Sequence, residues 1–475
     1  PKVHKKTKSN VVSDRNFSYG NPKEAFKKAD KIVELKIEYP RNSCTPLEGF
    51  VVESNYNTAE NSYTVQSNFQ GPFSLHSVIS RSLNVNENKL RLLSNQDSGG
   101  SFGIKQAILP MIVLTCLASR ISGKNIKWVE DRIEHLTAAS SATNRVTTIK
   151  AAVRKNGEIL ALDYDQIDDV GAYLRAPEPA SLYRMHGNLS GAYLVKNISC
   201  RNRVVLTNKT PTGLNRGFGG PQHYYALERL VHKIAVNLKL DRLAVIKLNL
   251  VKDKDFPYQS ASGALLDSGQ YKKLMDKVLK SNEFSDMKLR QNLAQKKGNL
   301  YGIGYAAIVE PSVSNMGYIT TAVPFKEREK SGHKGGAIAS ATVSIGPTGG
   351  IYVSCDSVPQ GQGHKTVLAQ IVADIFGLSF ENVFVNVELD TQKDAWSIAA
   401  GNYSSRFAGA VAGTTSLAAK KLKLRILKIA STKLNCKAEN IIFENNFVKD
   451  KNNFDNKISF NRLVGLAHWS PGELP

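Results

Sequence analysis

"TNKTPTGLNRGFGGPQ" (207–222) sets Arg216 and Phe218 among Gly213, Gly217, Gly219 and Gly220, then runs into "HYYALERLVHKIA". Glycines this dense let a backbone approach something closely. A single guanidinium among them points to an oxygen-bearing or anionic target. The run behind it carries apolar residues at helical spacing, so the loop feeds a helix. Three further segments pair glycines with polar residues beside expected strands or helices: "GGSFG" (99–103), "QGQGH" (360–364) and "GNYSSR" (401–406). A glycine loop at a helix start offers free backbone N–H groups and a positive dipole end. Ser404 and Ser405 sit at an N-cap-like position before the last long helix. One such loop is commonly a turn and a cap with no ligand. Four together favour an extended anionic ligand such as a dinucleotide or a phosphorylated cofactor.

At 475 residues, the chain is too long for one core, and two or three domains are expected. Apolar residues make up 41%, ordinary for a globular protein. The longest apolar run, "AILPMIVLTCLA", is shorter than the roughly 18–20 residues of a membrane span. The chain begins at Pro1 without Met and shows no signal peptide, which suggests a processed, truncated or split product. The net charge of +22 raises a nucleic-acid reading. Against it, the lysines are dispersed and no nucleic-acid-binding signature appears, so a basic surface facing an acidic partner is the plainer reading. Five scattered cysteines form no C-x-x-C, so the chain offers no cluster or zinc framework and suits a reducing cytoplasm.

The expected class is α+β, with two elongated lobes of mixed strands and helices. Residues 1–20 read as a basic tail, 20–255 as the first lobe, 256–299 as a linker with a surface helix, and 300–475 as an incomplete second lobe. A short helix and a strand are expected over "NPKEAFKKADKIVELKIEYP". Two strands should flank Asn156-Gly157, and a strand should open the second lobe at "YGIGYAAIVEP". No P-loop, no dinucleotide-binding G-x-G-x-x-G, no H-E-x-x-H and no G-x-S-x-G is present.

The loops resemble, in order and spacing from about residue 19 onward, those of the molybdenum hydroxylases, the xanthine dehydrogenase/aldehyde oxidase family. The matching stretches are "GGSFGIK", "TNKTPTGLNRGFGGPQ" with "LERLVHKIA", "GQGHKTVLAQIVADIFG", "ELDTQ", "SSRFAGAVAG", "TPLEGFVVE" and "LDRLAVIKLNLV". The resemblance implies a molybdopterin cofactor, in the cytosine dinucleotide form, holding molybdenum through the pterin with no direct protein ligand. It implies that Gln70 meets an oxo ligand of the metal, with Gly100, Phe102 and Gly103 beside it. Arg216 would lie near the metal and Phe218 would wall the substrate pocket. Gly361, Gln362, Gly363 and His364 would hold pterin or phosphate, and Ser404 and Ser405 the far loop. In that family the cofactor carries the redox chemistry, a glutamate is the general base, and electrons leave through iron–sulfur clusters to flavin.

Departures from the family pattern narrow this reading. The base glutamate belongs to a segment later than "AHWSPGELP", so Glu473 is not that residue and the base is expected on another chain. The leading domain is also missing. Companion large-subunit fragments, a [2Fe–2S] subunit and an FAD subunit are expected partners. Gly217 stands where carbon monoxide enzymes carry cysteine, and Ser199 where purine enzymes carry a second arginine. An aldehyde or an N-heterocycle remains as substrate, with the aldehyde preferred. His232 replaces a usual acid, and Ser101 is a second departure. A non-catalytic scaffold of the same fold therefore stays open, as does a basic nucleic-acid-binding protein. Glu48 reads equally as a pocket residue or a surface carboxylate. Asp168, Asp169 and Tyr173 read as structural, His76, His186 and His223 as packing or surface residues, Cys355 as a buried small hydrophobe, and Trp128 and Trp396 as core or interface.

Overall fold

The computed structural model describes residues 1–311, 313, 327 and 338–475. Helices and several sheets mix, as the α+β class requires. The compact units do not follow chain order. One holds Pro1–Ser43 and Ser140–Glu310; the other holds Cys44–Ala139 and the described part of Gly335–Pro475. Residues 44–139 thus fold with the C-terminal half, unlike the continuous lobes expected from the sequence. The reason is local pairing. Ser94 N donates to Leu389 O at 2.9 Å and Thr391 N to Leu92 O at 3.1 Å, while Arg91 clasps Asp390 at 2.6 Å.

In the first unit, five strands lie in the order Val11–Tyr19, Asn197–Val205, Ile159–Asp169, Asn144–Val153, Lys31–Tyr39. The two strands around Asn156-Gly157 pair antiparallel, with Gly157 at φ +91° closing the turn. Residues 1–20 are not a tail: Val11–Tyr19 is an edge strand along Asn197–Val205. Its polar composition suits an edge, since only Phe17 and Tyr19 turn toward the core. The helix Gly220–Leu238 covers the sheet with Leu227, Leu230, Val231 and Ile234, all fully buried. Residues 256–299 yield two helices, Tyr271–Leu279 and Asn282–Lys296, neither with a buried residue. "YGIGYAAIVEP" forms no strand. Its alternation instead sets Tyr305, Ala307 and Val309 against the core, and Ala307 N donates to Glu228 Oε2 at 3.1 Å.

In the second unit, a four-stranded sheet runs Leu90–Ser94, Ser62–Ser67, Val51–Asn57, Ile126–Val129. A three-stranded sheet runs Ala341–Ile345, Ile351–Cys355, Val383–Asn386. Each contains one parallel pair joined through a helix, Phe73–Ser82 in the first and His364–Phe376 in the second. Both helices start at the end of a strand, which is where such units place ligand loops. Ile104–Ser122 is apolar and long enough to cross a membrane, but its Ile108, Ile112 and Cys116 are fully buried in the core of this unit.

Candidate functional site

Gln70 lies where the chain leaves Ser62–Ser67 and enters Phe73–Ser82, and it is 5% exposed. Two other loops of the second unit close on it. Asn402 N donates to Gln70 O at 2.9 Å. A Cβ on Gly401 would stand 2.3 Å from the same oxygen, so only glycine permits that approach. On the other side, Ser101 Oγ donates to Gln70 Oε1 at 2.7 Å. Tyr403 adds a second tie, donating to Gln106 Oε1 at 2.8 Å.

The 98–103 loop is held from behind. Glu48 accepts from Gly99 N at 2.7 Å, Asn68 Nδ2 at 2.6 Å and Lys105 Nζ at 2.6 Å. Burial would raise the Glu48 pKa, but these three donors together hold it below the usual carboxylate value. Burial pulls the Lys105 ammonium below its usual value, with Glu48 opposing that shift. Glu48 therefore clamps this loop and is not a free surface carboxylate. Phe102, at φ +54°, is held outward and 45% exposed, with Gly103 at φ +106° beside it.

The 356–364 loop meets the 401–406 loop through Ser357 Oγ to Gly401 O at 3.0 Å and Asn402 Nδ2 to Gln360 Oε1 at 3.2 Å. Gly361 (φ +97°) and Gly363 (φ +75°) differ from the other loop glycines: among the described residues an added Cβ would meet nothing within 4 Å. They border open space at the start of His364–Phe376, whose first N–H groups have no side-chain cap. His364 is buried and stacks on Phe407 with ring centroids 3.7 Å apart. Burial pushes its pKa down to about 4, so the ring is neutral near pH 7. Ser357 Oγ lies 3.3 Å from His364 Nδ1 but gives its one proton to Gly401 O. The proton between Ser357 and His364 must then sit on Nδ1, and Nε2 is left as a lone-pair acceptor. Among the described residues that Nε2 is buried without a partner, as is Gln360 Nε2, a donor. Ser404 and Ser405 do not cap the long helix that follows them. Both have left-handed backbones, φ +43° and +55°, and a turn over Phe407–Val411 precedes Ala412–Leu434.

"RGFGG" belongs to the first unit. Its glycines mostly serve the chain itself: a Cβ on Gly219 would sit 1.9 Å from Ser181 O, and one on Gly217 would sit 2.7 Å from Pro221 Cδ. Arg184 Nη1 fixes the loop by donating to Gly217 O at 2.7 Å. Arg216 is exposed, while Phe218 is held inward at φ +25°. Asp168 is bidentate to buried Arg145 at 2.5 and 2.9 Å, and Asp169 anchors Lys209, Thr207 and Gly171. Both are structural. His76 Nε2 meets Leu90 O at 2.7 Å, and His186 Nε2 meets Tyr19 OH at 2.7 Å, so these are packing histidines. Burial takes His223 down to about 3. Among the described residues no cluster of His, Cys, Asp or Glu could hold a metal ion. Gln360, Asn402, Tyr403 and Gln106 were not singled out from sequence. The first three sat inside or beside quoted loops, but nothing in their spacing announced the cross-links.

Three of the four glycine loops therefore meet around Gln70 within one unit. Together they offer uncapped helix N–H groups, two amide donors and one imidazole acceptor. A phosphate tail suits the helix start, and a pterin edge, which both donates and accepts, suits the unpartnered Gln360 and His364 groups. The residues present fit a molybdopterin. The molybdopterin cofactor-binding domain family matches the chain twice, over residues 3–250 and 277–475, and the chain belongs to that family. It is 27% identical over 469 residues to the nicotine 6-hydroxylase large subunit of Paenarthrobacter nicotinovorans, covering 98% of this chain and 56% of that one. It is 29% identical over 428 residues to the carbon monoxide dehydrogenase large chain of Hydrogenophaga pseudoflava, covering 88% and 51%. Quinoline 2-oxidoreductase from Pseudomonas putida 86 superimposes with a TM-score of 0.87 at 26% identity, covering 100% of this chain and 59% of that one. The chain spans about half the length of the curated relatives it matches.

Proposed function

We propose that this chain is the molybdopterin-binding part of a multi-subunit oxidoreductase that hydroxylates an electron-poor N-heterocycle. The observation that carries the reading is the meeting of the 99–103, 360–364 and 401–406 loops around Gln70, with open space at Gly361 and Gly363. When bound, the cofactor supplies two-electron oxidation of a substrate carbon with water as the oxygen source. The backbone at Gly361, Gln362, Gly363 and His364 receives phosphate oxygens of a cytosine dinucleotide, and Ser404 and Ser405 add hydroxyl donors. His364 Nε2 accepts a proton donor of the pterin, and Gln70 offers its amide to an acceptor near the metal. Gly100, Phe102 and Gly103 exclude water there. Arg216 and Phe218 orient and wall the substrate. The matched segments 3–250 and 277–475 both contribute to holding the cofactor. Likeness to a nicotine hydroxylase and a quinoline oxidoreductase favours the heterocycle over the aldehyde. The [2Fe–2S] clusters and FAD come from companion chains in a reducing cytoplasm, consistent with five free cysteines. The test is to purify the native complex, measure molybdenum, release the nucleotide with acid, and assay quinoline and nicotinate against an artificial acceptor. One molybdenum and one cytidine nucleotide per chain, with turnover of a heterocycle, are expected. A metal-free complex overturns the reading.

A further inference from the structure

The hydroxyl of Ser101 is fully committed, and the direction of its bonds can be counted. It is 1% exposed. It accepts from Gly103 N at 3.3 Å and from Lys105 N at 3.1 Å. A hydroxyl has two lone pairs and one proton. With both lone pairs taken, only the proton is left for the third neighbour, Gln70, at 2.7 Å. The atom of Gln70 facing Ser101 must therefore be the carbonyl Oε1. Turned over, the amide would bring a donor against an oxygen with nothing left to accept it. The orientation thus follows from proton count, independently of how the amide was assigned.

We propose that Ser101 is a positioning residue that locks the Gln70 amide so that Nε2, with its two protons, is the group presented away from Ser101 to an acceptor. No hydrogen-bond partner of that nitrogen appears among the described residues. Asn402 N holds the backbone at Gln70 O, and the residue is only 5% exposed, so the packed side chain keeps little freedom beyond the amide flip. Ser101 takes its own geometry from the 98–103 loop, which the Glu48–Lys105 clamp fixes at 2.6 Å. The lock rests on the reading that Gln70 faces the cofactor. It adds that residue 101 sets the sign of the contact: a hydrogen-bond donor where a free amide could equally present an acceptor.

The test uses the molybdenum-loaded complex as it assembles, with the variants Ser101→Ala, Ser101→Thr, Gln70→Ala and Gln70→Glu. Molybdenum content and thermal unfolding confirm that each variant is loaded and folded. The readouts are the electron paramagnetic resonance signal of Mo(V) and the separate values of kcat and KM. Ser101→Ala is expected to shift the signal and lower kcat roughly tenfold at unchanged KM, the equivalent of one hydrogen bond. Ser101→Thr, which keeps the hydroxyl, is expected to restore both. Gln70→Glu, which cannot donate as a carboxylate, is expected to behave like Gln70→Ala. If Gln70→Ala shifts the signal and Ser101→Ala does not, the lock is wrong and the reading of Gln70 survives. If neither shifts it, the reading of Gln70 fails and the lock with it. Equal losses in the alanine and threonine variants would assign the effect to packing and overturn the lock.

Discussion

Glycine is used in two opposite ways in this chain, and single substitutions separate them. Gly219 yields space to Ser181 O, so Gly219→Ala forces an overlap and should destabilise the first unit by at least about 2 kcal/mol in thermal melts. Gly361→Ala and Gly363→Ala meet no atom of the described residues and carry left-handed backbone strain, roughly 1 kcal/mol each. Their larger effect should be on cofactor content, read as molybdenum per chain. The other residue with a sharp consequence is His364. Its pKa is about 4 when folded against 6.5 ordinarily, so between those values the unfolded chain binds a proton that the folded chain does not. Stability from this group is complete above pH 6.5 and is lost as pH falls toward 4, on the order of 3 kcal/mol in all. His364→Gln, followed by denaturant unfolding from pH 7.5 to 4.5, should flatten that slope for the second unit.

Loops are as firm as the elements behind them, and the 98–103 loop is firm because a buried lysine needs its acid. Glu48→Ala leaves the fully buried Lys105 side chain without its counter-charge and should cost about 3 kcal/mol. The double variant with Lys105→Met removes the stranded charge and should recover much of that loss, a pattern readable by denaturant titration of all three proteins. At the sheet edge, Val11–Tyr19 shields Asn197–Val205 and adds Phe17 and Tyr19 to the core. Deleting residues 1–19 should lower stability by about 3 kcal/mol and leave an open strand that promotes association, visible by light scattering.

The whole molecule is divided by contact and not by chain order. Residues 44–139 obtain Leu389, Asp390 and Tyr403 from more than two hundred residues later. A fragment of residues 1–255 should therefore keep its five-stranded sheet yet lose protection in 44–139. Hydrogen exchange on the fragment and the full chain measures this, with slow exchange expected to persist in 144–205 and to collapse in 51–94. The net charge of +22 belongs to this scale too. It is spread over surface lysines, including those of the helices Tyr271–Leu279 and Asn282–Lys296, which bury nothing.

Periodicity made most elements legible. The helix at 220–238 follows from apolar spacing, and the strands at 144–153 and 159–169 follow from alternation around Asn156-Gly157. The order of the glycine loops was legible as well, and with it the family. The edge strand at 11–19 was not, because a half-solvated strand carries too few apolar residues to announce itself. The coil at 301–310 misled for the opposite reason: it alternates without a partner strand. Which glycines face open space, which way Gln70 points and which nitrogen of His364 is free depend on atoms contributed by distant segments. Local sequence can set a residue's chemistry, but the number of donors and acceptors around it is fixed only when those segments fold together.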